Sequence, residues 1–189
     1  MIELIELKKY SKSILENTLT LIDKIEVEAT DLSIRLNSST LTTLSNEEIK
    51  ILVEKTFGII NYNPVYYIQL VGDIDTETIA NAFIQAKEHK YHSRCYSKFN
   101  HSASRTLYVG ISQGKSFKKR MREHLGSGAK STYALNLKYW IPDNTDIEIL
   151  IYKASVPQSS LNHMNLLELM EQALWDKLKP MMGKRSGQL

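Results

Sequence analysis

The sequence has few of the residues that mark special protein classes. Cys95 is the single cysteine among 189 residues, so no disulfide can form within the chain, which fits a reducing compartment. Four prolines and eight glycines exclude collagen-like and low-complexity chains. The longest uncharged run, residues 56–72, contains polar residues, and the first residues lack the basic and apolar regions of a secretory signal. We therefore expect a soluble cytoplasmic protein that does not contact a membrane.

The net charge is also small, but acidic and basic side chains are distributed unevenly along the chain. The net charge is only +3, which by itself indicates no partner. Residues 1–60 contain seven basic and ten acidic side chains, a net −3, whereas residues 61–189 contain 17 and 11, a net +6. Residues 105–130 alone contain seven basic side chains against one acidic. Such a segment is typical either of a solvated helix face or of a surface that binds an anionic partner.

Hydrophobic periodicity and capping residues predict an α/β (α+β) fold. The pattern indicates strands over residues 65–71, 106–111 and 147–152 and helices over residues 3–22, 45–57, 76–90, 116–125, 131–140 and 161–178. Residues 25–36 fit neither type clearly. We expect residues 61–189 to form a domain with a small mixed, mainly antiparallel three-stranded sheet flanked by helices, and residues 1–60 to form a mostly helical appendage.

One carboxylate lies on an apolar helix stripe. Helical spacing places Glu171 on the same stripe as Leu167, Leu174 and Leu178. A carboxylate among apolar residues is costly unless an arginine pairs with it or a metal ion binds it. The pattern leaves both interpretations open, a buried salt bridge and a metal site.

A second candidate group consists of Tyr108, Arg120 and His124. Tyr108 lies in a predicted strand, and the other two residues lie one turn apart on the helix that follows. Arginine can make two hydrogen bonds to a phosphate and keeps its charge, and a tyrosine beside a cation ionises more easily and can act as a base. The alternative is a half-buried tyrosine beside a solvated basic face.

A histidine-rich segment is the third candidate. His89, His92, Cys95 and His101 are residue types that bind zinc, but their spacing matches no standard zinc motif. Aromatic and basic residues alternate in the same segment, which favours a loop that contacts nucleic acid or solvent: Lys90, Tyr91, Arg94, Tyr96, Lys98 and Phe99.

Taken in order, several segments resemble the motifs of the GIY-YIG nuclease domain. Tyr108-Val109-Gly110 is similar to the second strand motif of that family. Residues 117–125 (FKKRMREHL) resemble its arginine helix, and residues 170–180 (MEQALWDKLKP) resemble its glutamate helix with a closing Lys-Pro. Pro64-Val65-Tyr66 lies where the first motif is expected, with proline in place of glycine. The resemblance covers residues 64–185.

The chain departs from the family pattern in three places. The first motif lacks its glycine, and Gly183 falls near the position of a family asparagine. Residues 73–105 separate two motifs that a short turn usually joins, so an inserted helix and loop are required. Because of this insertion, Tyr67 competes with Tyr66 for the role of the tyrosine in the first motif.

The resemblance implies a metal-dependent DNA endonuclease that hydrolyses phosphodiester bonds. Glu171 would hold Mg²⁺ or Mn²⁺. Tyr108 would act as general base on the attacking water, and Tyr66 would position that water or the phosphate. Arg120 would neutralise charge on the phosphate, and His124 would assist as a hydrogen-bond partner or proton relay. The loop over residues 90–105 would contact the backbone of duplex or branched DNA, together with five basic residues of the following segment: Lys115, Lys118, Lys119, Arg122 and Lys130.

Two alternatives stay open from the sequence. The missing glycine and the insertion favour a nucleic-acid-binding module with weak or no cleavage activity. The acidic residues 1–60 also fit a protein-interaction role, and they can serve as a dimerisation element, a specificity element or a mask over the basic surface.

Overall fold

A computed structural model describes residues 4–155 and 163–186. These residues form four strands, β1 (Glu26–Asn37), β2 (Asn63–Val71), β3 (Thr106–Ile111) and β4 (Asp146–Ser155). They also form six helices, α1 (Leu4–Ile22), α2 (Ser38–Thr43), α3 (Asn46–Phe57), α4 (Thr76–Glu88), α5 (Gly114–Leu125) and α6 (His163–Leu178). The mixed α/β class, with an antiparallel sheet flanked by helices and a helical N-terminal segment, is confirmed. Residue 3 and residues 161–162, included in the first and last predicted helices, lie outside the described residues.

The sheet has four strands rather than the three expected. Its order is β1-β4-β2-β3, and every neighbouring pair is antiparallel. The additional strand, β1, comes from the segment that the sequence left ambiguous. Its second half alternates, with Ile34 and Leu36 buried, but the register shifts between Ala29 and Ser33 and interrupts the pattern.

Strand β2 lies inside the sheet and separates two apolar layers. Tyr66 and Ile68 point into the main core, while Val65 packs with Leu167 of α6 on the opposite face. Because side chains alternate along a strand, Tyr66 and Tyr67 of β2 lie on opposite faces of the sheet. The face with Tyr66, Ile68 and Leu70 is buried, whereas on the other face Val65 is buried and Tyr67 and Gln69 are half-buried.

The inserted residues 73–105 are part of the main core. Helix α4 lies within the predicted range and buries Ile79, Phe83 and Ala86. The ring of Phe83 packs edge-on against Trp140, with ring centres 5.0 Å apart and an angle of 71° between the planes. The insertion is therefore packed into the domain rather than attached to its surface.

The helix predicted over residues 131–140 is wrong. Only a 3₁₀ turn forms there, at Leu137–Tyr139. Asn136 has φ of +54°, a left-handed conformation that interrupts any α-helix through this segment. The apolar residues that suggested a helix are buried in irregular backbone, where the indole nitrogen of Trp140 donates to the Leu135 carbonyl at 2.6 Å.

Residues 26–57 share the sheet and the main core with the rest of the chain. Helix α3 begins at a capping box formed by Ser45 and Glu48 and buries Ile49, Val53 and Phe57. The division at residue 60 stays a prediction based on charge, since β1 and β4 pair across it. Within the described ranges, no helix is long and apolar enough to cross a membrane.

Candidate active site

Strands β2 and β3 and helix α5 bring Tyr66, Tyr108, Arg120 and His124 together. The two tyrosines are diagonal neighbours on one sheet face, because Tyr66 is opposite Gly110 and Tyr108 is opposite Ile68. Their rings lie 6.2 Å apart and nearly parallel, and the His124 ring lies 4.3 Å from that of Tyr108. These four residues, which span positions 66 to 124 of the sequence, thus form one side-chain cluster.

Gly110 provides the space between the two tyrosines. A Cβ atom at this position would lie 2.6 Å from the hydroxyl oxygen of Tyr66 and 2.8 Å from Cε1 of Tyr108. Any other residue would force the rings apart. Gly183 approaches the other edge of Tyr108, since its φ is +110° and a Cβ there would lie 3.0 Å from Cε2.

His124 is held neutral, with one defined tautomer. The ring is fully buried, and this burial lowers its pKa well below the usual value, with Arg120 adding to the effect. Its Nδ1 accepts a hydrogen bond from the Leu135 amide at 3.4 Å, so the proton of the neutral ring resides on Nε2. Nε2 lies 3.3 Å from the Tyr66 hydroxyl and donates to it.

The Tyr66 hydroxyl keeps its proton inside the cluster. Its side chain is fully buried, and burial raises its pKa well above the usual value. The hydroxyl therefore stays protonated near neutral pH. Because its oxygen already accepts from His124, its own proton can be donated to another acceptor.

Arg120 is a partly exposed cation with a fixed orientation. Its Nη2 donates to the Tyr108 hydroxyl at 3.1 Å, and its Nη1 donates to Glu123 and to the Tyr133 carbonyl, both at 3.0 Å. Burial opposes the charge, but Tyr108, Tyr66 and Glu123 outweigh it and raise the pKa of Arg120. A guanidinium held in this way can bind an anion such as a phosphate at little cost in side-chain entropy.

Glu171 on α6 carries a carboxyl group whose charge is disfavoured. Burial, assisted by the charge of Glu168, raises the pKa of Glu171 to about 7. The Ile111 amide donates a hydrogen bond to it, and Arg120 acts on it electrostatically, both of which favour ionisation. Arg120 forms its salt bridge with Glu123, and no ion pair involves Glu171 in the part of the chain that the structure describes.

The chemistry of Glu171 fits a divalent cation with oxygen ligands. A nearby cation would compensate the charge that burial disfavours. Among residues 4–155 and 163–186 no group of three or more His, Cys, Asp or Glu could hold a metal ion. A cation at Glu171 would therefore complete its coordination shell with water and ligand oxygens, as Mg²⁺ commonly does.

The histidine-rich segment forms no such group either. The rings of His89, His92 and His101 pack against neighbouring aromatic rings, and Cys95 is a half-buried free thiol. The structure thus does not bring these four side chains together as a zinc site.

The five basic residues expected to contact DNA differ in their exposure and in their partners. Lys118 forms a salt bridge of 2.5 Å with Glu54 of α3, and Arg122 is half-buried. Lys115, Lys119 and Lys130 are exposed. Their role in binding nucleic acid stays a prediction.

A cleft beside Arg120 contains residues that the sequence did not place next to Tyr108, although Tyr96 and Lys98 belong to the loop expected to contact nucleic acid or solvent. It has a volume of about 390 Å³ and is lined in part by Lys87, Tyr96, Lys98, Tyr133 and Lys184. Lys87, Tyr96 and Lys98 come from the inserted residues 73–105. The helical pattern of the insertion did not indicate that it lies close to Tyr108. The alternation of basic and aromatic residues around Lys98 was the one available signal.

The chain matches no protein-family model, no curated protein and no solved structure.

Proposed function

We propose that this protein is a metal-dependent DNA endonuclease of the GIY-YIG type, acting in a reducing compartment such as the cytoplasm. The observation that carries the proposal is the convergence of Tyr66, Tyr108, Arg120 and His124 around Gly110. These are the residues, on the elements, that the family resemblance selects. An endonuclease needs a base, a proton donor and a fixed cation at one phosphate, and the cluster contains each of them.

The two tyrosines would have different roles. Tyr108 accepts a hydrogen bond from Arg120 and lines the cleft, so its hydroxyl is the one placed to meet an attacking water. It would take a proton from the attacking water as the water oxygen bonds to phosphorus and the bond to the leaving oxygen breaks. Tyr66 stays protonated and would donate its hydrogen bond to the phosphate or to that water.

Arg120 and His124 would support this step from α5. Arg120 would bind the non-bridging phosphate oxygens, where negative charge grows as the reaction proceeds. His124 would fix the orientation of the Tyr66 hydroxyl through its Nε2 proton. Both residues are held by backbone groups, Arg120 by the Tyr133 carbonyl and His124 by the Leu135 amide.

Glu171 would hold the metal ion. A bound Mg²⁺ or Mn²⁺ supplies Lewis-acid stabilisation of charge on the phosphate. The carboxyl group itself, kept close to its protonated form by burial, would bind a cation most readily when the pH exceeds about 7.

The proposal is tested by plasmid nicking in Mg²⁺ or Mn²⁺. Glu171→Gln and Arg120→Ala should each lower the nicking rate by roughly 10³-fold or more, since each removes charge stabilisation in the transition state. Glu26→Gln, at an exposed carboxylate on β1, is the matched control and should retain activity within about threefold. Undiminished cleavage by either folded variant, as judged by circular dichroism, would sink the assignment.

A second candidate function is nucleic-acid binding without cleavage. Pro64 in place of the family glycine and the absence of a multi-residue metal group in the described ranges favour it. A wild-type protein that binds DNA with strong salt dependence, but cuts it with no divalent metal, would support this alternative.

A further inference from the structure

The cleft beside Arg120 has an unusual charge distribution. Four of its lining side chains are cationic and none is acidic: Lys87, Lys98, Arg120 and Lys184. Like charges that share a cleft disfavour one another unless an anion lies between them. The cleft therefore carries the electrostatic signature of an anion-binding site that extends beyond Arg120.

The backbone, rather than side-chain rotamers, brings Lys98 and Lys184 together. The Gly183 amide donates to the Lys98 carbonyl at 2.8 Å, and the Asn100 amide donates to the Met181 carbonyl at 2.9 Å. Phe99 and Met182 form an antiparallel bridge between these two bonds. The inserted loop and the C-terminal segment thus hold two lysines on adjacent backbones at one side of Tyr108.

These two lysines also have their charges available. Over residues 4–155 and 163–186, neither Lys98 nor Lys184 forms an ion pair. The other cations of the cleft are engaged, Arg120 with Glu123 and Lys87 with the Ser97 carbonyl at 3.0 Å.

The inserted loop that presents Lys98 is anchored on its other side as well. The Ser97 amide donates to the Ala134 carbonyl at 3.0 Å, and Tyr96 forms a parallel bridge with Ala134. The adjacent Tyr133 carbonyl is the acceptor that orients Arg120. Lys98 and Arg120 therefore share one supporting segment, which fixes the position of one relative to the other.

We propose that Lys98 and Lys184 form a second phosphate subsite, which binds the backbone phosphate next to the one held by Arg120. The ligand is DNA, so the inference rests on the proposed function. The inserted residues 73–105 are then part of the substrate-binding surface. Since phosphate contacts carry no sequence information, the subsite sets affinity and register rather than sequence preference.

The test is a binding titration of the full chain with a duplex oligonucleotide in Ca²⁺, repeated at several salt concentrations. The double variant Lys98→Gln/Lys184→Gln should bind roughly tenfold more weakly, and the slope of log affinity against log salt should become shallower by about 1 to 2. The matched control Lys24→Gln/Lys55→Gln removes the same charge from exposed positions outside the cleft and should change affinity less than about threefold. Lys98→Arg/Lys184→Arg should restore the wild-type slope.

Nicking kinetics in Mg²⁺ separate this inference from the proposed function. The glutamine double variant should raise KM with kcat retained, because the subsite binds substrate and transition state equally. An affinity, slope and KM that match those of the control variant would overturn the subsite. If the wild type binds DNA but never cuts it, the endonuclease proposal fails, and the binding titration still decides whether the subsite exists.

Discussion

Residues 4–57 and residues 61–186 differ in where their charged side chains lie. In residues 4–57 the ion pairs lie on the surface, as in Lys12–Glu16, whose side chains are 78% and 64% exposed. In residues 61–186 the buried set includes His124, Glu123 and Arg94, and the exposed fraction of each is 7% or less. Burying such groups lowers stability unless hydrogen bonds compensate. The first part is therefore built as a scaffold, and the second gives up stability to hold polar groups in a fixed geometry.

The helices of the two parts differ in the same way. Helix α5 buries five of its 12 residues, two of them polar. Helix α1 is longer, yet Tyr10, Leu15 and Leu19 are 59% to 69% exposed. A helix gains most of its stability in proteins from packing. Apolar spacing alone therefore did not distinguish the helix that builds the site from the one that lies outside the core.

The largest expected effect is a loss of stability when a buried side chain of residues 4–57 is truncated. Phe57 on α3 is 1% exposed and packs edge-on against Phe117 at 5.1 Å. Phe57→Ala should lower the free energy of unfolding by about 3 to 5 kcal/mol, measured by urea titration, because it leaves a cavity in the main core. Cleavage by the remaining folded molecules should stay within about threefold of the wild type.

The control for this variant lies two residues away, just after the end of α3. Ile59 is 92% exposed, so Ile59→Ala should change stability by less than about 0.5 kcal/mol. Equal stability of the two variants would mean that α3 does not share the core, and the description of residues 4–57 as a scaffold would then be wrong.

The next effect in size concerns the two neighbouring tyrosines of β2. By the proposed mechanism, Tyr66→Phe should lower the nicking rate about 10²-fold, since it removes the hydrogen-bond donor assigned to the phosphate or the attacking water. It should also cost about 1 to 2 kcal/mol of stability, because the buried Nε2 proton of His124 loses its acceptor. Tyr67 packs on Tyr152 on the other sheet face, so Tyr67→Phe should cut at the wild-type rate. Equal loss in both variants would contradict the assigned faces.

Local patterns predicted the elements well, and they predicted less about contacts between distant segments. The capping box at Ser45 and the helical stripes of α4 and α5 depend on neighbouring residues, so the sequence alone was enough to find them. Strand β1 was missed because its register shift breaks the alternation, and its partner β4 lies more than 100 residues away. The false helix over residues 131–140 had apolar residues buried by tertiary packing rather than by helical periodicity.

The candidate site shows the same division. The sequence could select Tyr108, Arg120 and His124 because a strand and the helix that follows it place them close together. The tautomer of His124, however, depends on the Leu135 amide, and the cleft depends on backbone bonds between residues 98–100 and 181–183. Such long-range backbone contacts leave no periodic signal in the sequence.

The smallest expected effect is a change of stability with pH at Glu171. Its pKa is raised from 4.5 to about 7 in the folded chain, chiefly by burial, so the folded protein holds its proton more tightly than the unfolded chain does. The resulting penalty is absent below about pH 4.5, grows between pH 4.5 and 7, and is complete above pH 7. Glu171→Gln removes it and should stabilise the metal-free protein by on the order of 1 to 2 kcal/mol at pH 8 and by nothing at pH 4.

Urea titrations of wild type and Glu171→Gln at these two pH values measure the difference, with Glu26→Gln, at an exposed carboxylate on β1, as the control. Added Mg²⁺ should then raise the stability of the wild type at pH 8 and leave the glutamine variant unchanged, since a ligand that binds the folded state stabilises it. A glutamine variant that is less stable than the wild type at pH 8 would mean that the carboxylate is a structural partner. In that case burial of the Glu171 carboxylate would not be one of the features that lower the stability of residues 61–186. A variant that gains stability while losing cleavage would tie the cost of burying Glu171 directly to function.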